Sequence, residues 1–244
     1  MNQYLTTLKD VFDNGDVRPS RTGINTRALF GRTMRFDLSQ GFPIITTKKM
    51  PFKMIAGELL WFISGSSDVK DLHKLGVHIW DQNAEADYWK PKAKHQGDLG
   101  RIYGVQWRSW LSPNKKKTDQ LKQVIESIQK QHYARRHLVV AYNPGELDQM
   151  ALPPCHILFQ FFVSKGALSL SMYQRSCDMF LGVPFNISSY SLLLSMVAHI
   201  TNLKVGEFFH ILGDAHIYEN HTEQVKKQTP PNTCLLYTSD AADE

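Results

Sequence analysis

Residues 135–163 read RRHLVVAYNPGELDQMALPPCHILFQFFV. Two apolar runs of strand length, 136–142 and 156–163, flank a connection rich in glycine and proline, which is the pattern of two strands separated by a loop. Beyond them Leu168 to Gln174 alternates, so 156–163 and 168–174 are expected to pair as a hairpin around Lys165-Gly166. A further strand is expected at 207–211. Helical spacing surrounds these strands. Tyr4, Leu5, Leu8, Val11 and Phe12 mark one face of a helix over 2–12. Helices are also expected over 52–63 with Gly65 as its stop, over 119–130 with Thr118 or Asp119 as cap, and over 188–201. The expected fold class is α+β, a mixed β-sheet packed with helices.

The chain has 244 residues, 42% of them hydrophobic, and a formal charge of +5. That length supports a sizeable core in one compact catalytic domain, and no shift in composition marks a second. The basic loops at 90–95 and 115–117 read as solvated; a basic surface favours anionic ligands, with weak RNA binding as the competing use. Three cysteines make no disulfide framework, so a reducing, cytoplasmic setting is expected. The first twelve residues lack the basic and apolar regions of a signal peptide. The longest apolar stretch, 190–200, is broken by Ser191, Ser195 and His199, and is expected to be a buried core helix with no membrane role.

Cys155 follows two prolines at the start of the second strand, and Arg175 ends the hairpin arm expected beside it. A guanidinium next to a thiol favours the thiolate, which makes a nucleophile for an anionic substrate; an inert core thiol is the competing reading. Cys177 has no such support and reads as structural. Arg21, Arg135, Arg136 and Arg175 are fixed charges able to fork onto phosphate oxygens. As neighbours on one strand, Arg135 and Arg136 would point to opposite faces, so both reach one ligand from their own sheet only through a bulge or at an edge.

Glu58 lies in an apolar helix with a narrow polar side, where burial would raise its pKa and suit it to acid–base work. Asn186 reads first as a helix cap. His216 and Tyr218 alternate on a strand and face one side, as a pair holding a sugar hydroxyl would. Trp80 and Tyr103 default to core packing. The sequence shows neither a zinc-ligand pattern nor a glycine-rich dinucleotide loop, so no metal is expected.

The ordered blocks Arg21-Thr22-Gly23, Glu58-Leu59-Leu60-Trp61-Phe62, Ile79-Trp80-Asp81, 103–108 (YGVQWR), Arg135-Arg136, Pro154-Cys155-His156, 173–178 (YQRSCD), Pro184-Phe185-Asn186-Ile187 and 213–218 (GDAHIY) resemble those of the thymidylate synthases, in the family's order. The resemblance implies reductive methylation of dUMP to dTMP, with 5,10-methylenetetrahydrofolate as co-substrate and dihydrofolate as second product. It implies that Cys155 adds to C6 of the pyrimidine, that Glu58 acts through water on the C5 proton, and that Tyr103 and His156 form a hydrogen-bond network beside the nucleophile. By the same resemblance Arg21, Gln174, Arg175 and Ser176 hold the nucleotide, mainly at its phosphate. Asn186 pairs with the uracil edge, and His216 and Tyr218 hold the 3′-hydroxyl. Lys48, Ile79, Trp80, Leu181 and Phe185 meet the folate, and Asp178 stands where nucleotide and folate meet. The family is a sheet-to-sheet homodimer in which Arg135 and Arg136 cross to the partner's phosphate.

Pro51 and Asn83 depart from the family's folate contacts, and 86–96 looks like an insertion. From Cys234 the chain reads CLLYTSDAADE, which matches no family block and is similar to an in-frame translation of a sequencing-library adapter. Residues 234–244 are therefore expected to be foreign, 1–233 a catalytic domain incomplete at its C-terminus, and the chain as written nearly inactive, since the family closes its site with a C-terminal segment. The alternatives are a hydroxymethylase acting on dUMP or dCMP, with Asn186 against cytosine, and a catalytically impaired homologue that binds RNA.

Overall fold

A computed structural model describes residues 2–229; the tail from Cys234 lies outside them. In chain order the elements are α1 (Asn2–Asn14), β1 (Asp16–Arg18), β2 (Thr26–Asp37), α2 (Phe52–Ser64), α3 (Val69–His73), α4 (Asp81–Ala84), α5 (Tyr103–Ser109), β3 (Trp110–Leu111), β4 (Lys117–Thr118), α6 (Gln120–Lys130), β5 (Leu138–Val140), β6 (His156–Ser164), β7 (Ala167–Asp178), α7 (Gly182–Ile200), β8 (Lys204–Tyr218) and α8 (Thr222–Gln228). Six strands form one mixed sheet in the order β1-β2-β8-β7-β6-β5, and β3 and β4 form a small ribbon. Every pair in the large sheet is antiparallel except β7 with β8, which run parallel. A parallel pair needs a long crossover, and α7 supplies it. The fold is α+β, as expected.

The two faces of this sheet differ, and the cross-strand register shows how. Val139, Phe159, Met172, His210 and Met34 are successive partners across five strands, and all are buried. One residue away on each strand, Leu138, Gln160, Ser171, Phe209 and Arg35 form the neighbouring row. Leu138, Gln160 and Arg35 of that row are exposed, and the Arg35 guanidinium lies over the Phe209 ring at 5.3 Å. Period-two alternation therefore gives one face to the core and leaves the other open. Truncating a core member such as Phe159 to Ala would cost about 3–5 kcal/mol.

Local chemistry sets the helix ends. Gly65 closes α2 in the left-handed region at φ 78°, and the Asp119 carboxylate accepts from the Lys122 N–H to cap α6. The hairpin turns at Lys165 and Gly166 with φ of 49° and 74°. Three sequence expectations change. The last long helix starts at Gly182, not Ser188, because Pro184 falls in the first turn, where a missing N–H costs nothing. Asn186 is therefore inside α7 and caps nothing. The strand expected over 136–142 narrows to Leu138–Val140, so Arg135 and Arg136 lie in the segment before it and the alternation of strand faces does not govern them.

With this earlier start α7 has 19 residues, long and apolar enough by composition to cross a membrane, but it is the core helix of the fold. Ile187, Leu193, Leu194 and Ala198 are enclosed by neighbouring elements. Segment 86–96, which had no assigned role, contributes Trp89 to the core; the indole N–H donates to the Asp98 carbonyl at 2.7 Å.

Candidate active site

A cavity of about 500 Å³ opens where the C-terminal halves of β7 and β8 meet the turn after β1. Its lining includes Arg21, Cys155, Arg175, Ser176, His216 and Tyr218, all predicted site residues from four separate stretches of chain. The size suits a small-molecule ligand. The lining also contains Arg18, Tyr88 and Asp214, which sequence reading missed. Arg18 Nη1 lies 3.0 Å from Asp214 Oδ2, and His216 Nδ1 lies 3.0 Å from Asp214 Oδ1, so one carboxylate links two strands at the rim. The Tyr88 hydroxyl donates to the Ala151 carbonyl at 2.7 Å. That bond brings segment 86–96 to the cavity.

Cys155 sits just before β6. Its backbone N–H donates to Tyr103 Oη at 2.6 Å, and its carbonyl accepts from the Arg175 N–H at 2.8 Å. The Arg175 guanidinium is held by the carbonyls of Pro154 and Pro153 at 2.9 and 3.0 Å and lies over the Tyr142 ring. Burial pushes the thiol's pKa up, and this outweighs the opposing pull of Arg175, of hydrogen bonds from Tyr103 and Ser176, and of Arg21. The expectation that Arg175 leaves Cys155 with a lowered pKa is thus corrected: the cation is present, but loss of water around the sulfur dominates.

Behind Cys155 lies a buried aromatic and imidazole layer. The Tyr103 and His156 rings are 5.0 Å apart, and His156 meets Tyr190 edge-on at 5.4 Å. Burial drives the His156 pKa down to about 4, opposed by the hydrogen bond that the imidazole donates to Asn186. Asn186, on the first turns of α7, therefore belongs to the same layer. Gln174 has its amide fixed from both sides: Oε1 faces His210 Nε2 at 2.9 Å and Nε2 donates to the Ser176 carbonyl at 3.0 Å. His210, which sequence reading did not single out, is buried and its pKa falls to about 3, so it is neutral and its Nε2 carries the proton that Gln174 accepts.

Glu58 lies on α2, and Trp80 Nε1 donates to its Oε1 at 2.7 Å. Burial raises the Glu58 pKa to about 7, with the indole hydrogen bond opposing. This bears out the expected raised pKa, although the residue keeps part of its surface exposed.

Asp178 ends β7, and its Oδ1 accepts from the N–H groups of Phe180 and Leu181 at 3.0 and 2.9 Å, which fixes the approach to α7. Lys48 Nζ donates to the Phe180 carbonyl at 2.6 Å and lies over that ring at 4.3 Å. Burial lowers its pKa and Asp178 opposes the shift. Ile79 and Leu181 remain 40% and 46% exposed, and Phe185 is half-buried. The exposed Leu181, whose N–H bonds Asp178, and Lys48 on the neighbouring Phe180 put apolar surface and charge of both signs together. Arg135 and Arg136 do not join the cavity; both are exposed, and Arg136 lines a separate hollow with Trp110 and Gln123.

Fold and site together define an α+β protein with a thiol in an arginine-lined cavity and a carboxyl poised near neutrality. The family model described as Thymidylate synthase matches residues 2–233, and the chain belongs to that family. Membership puts it among the transferases of nucleotide biosynthesis.

Proposed function

We propose that residues 1–233 form one catalytic domain whose chemistry is the reductive methylation of dUMP to dTMP. The observation that carries this reading is that Cys155 shares one cavity with Arg21, Arg175, Ser176 and the His216–Tyr218 pair. A nucleophile, an anion clamp and a sugar-hydroxyl pair at one opening are what a nucleoside monophosphate requires.

In this reading Arg21, Arg175 and Ser176 hold the phosphate, and His216 and Tyr218 the 3′-hydroxyl. The fixed amide of Gln174 braces Ser176, and Asn186 meets the uracil edge. Cys155 adds through sulfur to C6, which makes C5 nucleophilic; the thiol proton is lost to solvent or to a neighbouring base. Arg175, Tyr103 and Ser176 favour the thiolate against the cost of burial. Tyr103 and His156 support the loop that carries Cys155. Glu58, with a pKa of about 7, is matched to moving the C5 proton at neutral pH. Bound 5,10-methylenetetrahydrofolate supplies the one-carbon unit and the hydride. Lys48, Ile79, Trp80, Asp178, Leu181 and Phe185 would hold it and keep water away.

The open face of the sheet supports a sheet-to-sheet homodimer, because Phe162 and Leu138 are exposed there. Arg135 and Arg136, remote from the cavity of their own chain, would then complete the partner's phosphate site. Free thiols at Cys155 and Cys177 suit a reducing, cytoplasmic setting.

The test supplies dUMP and methylenetetrahydrofolate to the full chain and to residues 1–233 followed by a family-like C-terminus. One dihydrofolate per dTMP supports the synthase, and Cys155→Ser should lower turnover by at least roughly 10³-fold. Hydroxymethyl-dUMP without dihydrofolate would make the chain a hydroxymethylase, and no dUMP binding by either protein would overturn the nucleotide reading.

A further inference from the structure

The turn between α3 and α4 gathers residues that no part of the proposed reaction uses. His73 ends α3, His78 lies in the turn, and Asp81 opens α4. His73 Nε2 is 2.6 Å from Asp81 Oδ1, and His78 Nδ1 is 3.2 Å from Asp81 Oδ2. The two imidazoles stack with centroids 4.2 Å apart, and one ligand atom from each of the three residues lies within 4.8 Å of the others. Sequence spacing gave no hint of a metal site, because the fifth and eighth residues after His73 match no common ligand pattern.

The backbone under these side chains is fixed. Leu72, Val77 and Trp80 are buried, so the turn is pinned to the core between the ligands. The Gly76 N–H donates to the His73 carbonyl at 2.8 Å, and Gly76 has φ 72°, a conformation that favours glycine. The side chains themselves keep access to water: His73, His78 and Asp81 are 34%, 63% and 41% exposed. A tetrahedral ion with bonds of about 2.0–2.2 Å sets its ligand atoms a little over 3 Å apart, so small rotations of exposed side chains suffice.

We propose that His73, His78 and Asp81 form a binding site for a divalent transition-metal ion of the zinc class, which ties the end of α3 to the start of α4. Two imidazoles and one carboxylate are the donor set such ions prefer, and the remaining positions face solvent. The ion would displace any proton shared between an imidazole and the carboxylate. Because Trp80 adjoins Asp81 and bonds Glu58, the same clamp would stiffen the segment that orients that carboxyl. The inference does not depend on the proposed reaction.

The test is titration of the tag-free full chain with Zn²⁺ alone by calorimetry, and with Co²⁺ alone by visible absorption. One ion per chain is expected, with a rise in Tm on zinc addition. His78→Ala, at the most exposed ligand, should weaken binding by at least the roughly 10–100-fold that loss of an outer-shell partner costs, and should abolish the Tm rise. His95→Ala, which lies outside the cluster beside Asp68, should bind as the unaltered chain does, and so should Cys155→Ser, which removes the competing thiol. Circular dichroism checks that each variant is folded. Unchanged binding after loss of both His73 and His78, binding that vanishes with Cys155→Ser, or no binding by the unaltered chain would each overturn the proposal.

Discussion

The indole N–H of Trp80 points at Glu58 Oε1 across 2.7 Å, from a ring held among Trp61, Phe62 and Tyr103 at centroid distances of 5.8, 6.2 and 6.1 Å. A rigid donor thus orients a carboxyl whose pKa burial has raised to about 7. Trp80→Phe keeps the ring and removes the donor, so the Glu58 pKa should rise further and the acidic limb of the pH–rate profile should move to higher pH. Turnover at pH 7 should fall about tenfold, equivalent to one hydrogen bond of about 1.4 kcal/mol. If Trp80→Phe has the same effect in a Glu58→Gln background, the coupling is refuted.

Glu58 also makes a prediction about stability. Its folded pKa of about 7 exceeds the ordinary 4.5, so between these values the folded chain holds a proton that the unfolded chain has released. Stability therefore falls as pH rises from about 4.5 to 7 and stays lower above. Ionised Glu58 costs roughly 3 kcal/mol, so Glu58→Gln should gain about that much at pH 8 and little at pH 4.5. Urea unfolding at both pH values measures it, and an equal gain at both would contradict the assignment. Activity should fall about 10²–10⁴-fold in the same variant, a trade of function against stability.

The imidazoles act with the opposite sign. His156 and His210 have folded pKa values of about 4 and 3 against an ordinary 6.5, so the unfolded chain binds protons that the folded chain refuses. Their contribution is complete above 6.5 and is lost as pH falls through the window below it, at up to about 3 kcal/mol for His156. His210→Asn, which retains a donor for Gln174, should flatten the loss of stability between pH 6.5 and 4.5. Parallel curves for the variant and the unaltered chain would show that His210 titrates normally.

How far the sequence foretold this site depends on the range of the contacts. Short-range chemistry was legible: the Asp119 cap, the Gly65 stop, the hairpin at Lys165-Gly166, and the alternation that puts His216 beside Tyr218. Family-like blocks named Cys155, Arg175 and Glu58, but not the balance of forces on the thiol, which depends on how much water the fold removes. Strand β2 was missed because Arg27, Arg32 and Arg35 and the mid-strand Gly31 break its apolar pattern, and only pairing with β8 shows it to be a strand. Tyr103 meets Cys155 across 52 positions and Gln174 meets His210 across 36, distances over which periodicity carries no information. Tyr88 reached the cavity from a segment read as an unexplained insertion.

Tyr4 links the first helix to the edge of the site. Its hydroxyl donates to the Met179 carbonyl at 2.9 Å, one residue beyond Asp178. Tyr4→Phe should leave that carbonyl without its side-chain donor and cost about 1–3 kcal/mol of stability. Because the loss also loosens the turn that Asp178 shapes, KM for the folate should rise more than KM for dUMP. Equal changes in both would mean that the bond is purely structural.

Arg135 and Arg136 lie outside the cavity of their own chain, and that placement gives a test of the homodimer that needs no structure of the assembly. If the pair completes the partner's phosphate site, Arg136→Ala and Cys155→Ser each disable both sites of their own dimer, for different reasons. Subunits exchanged in equal amounts form mixed dimers in half of all cases. In each mixed dimer one site has an intact Cys155 and receives an intact Arg136 from the other chain. Activity should therefore return to about one quarter of that of the unaltered protein, starting from two nearly inactive parents. Recovery should follow subunit exchange, and crosslinking the parent dimers before mixing should prevent it. No recovery after exchange demonstrated by mass would mean that the arginines serve their own chain, and that the open face of the sheet has another use.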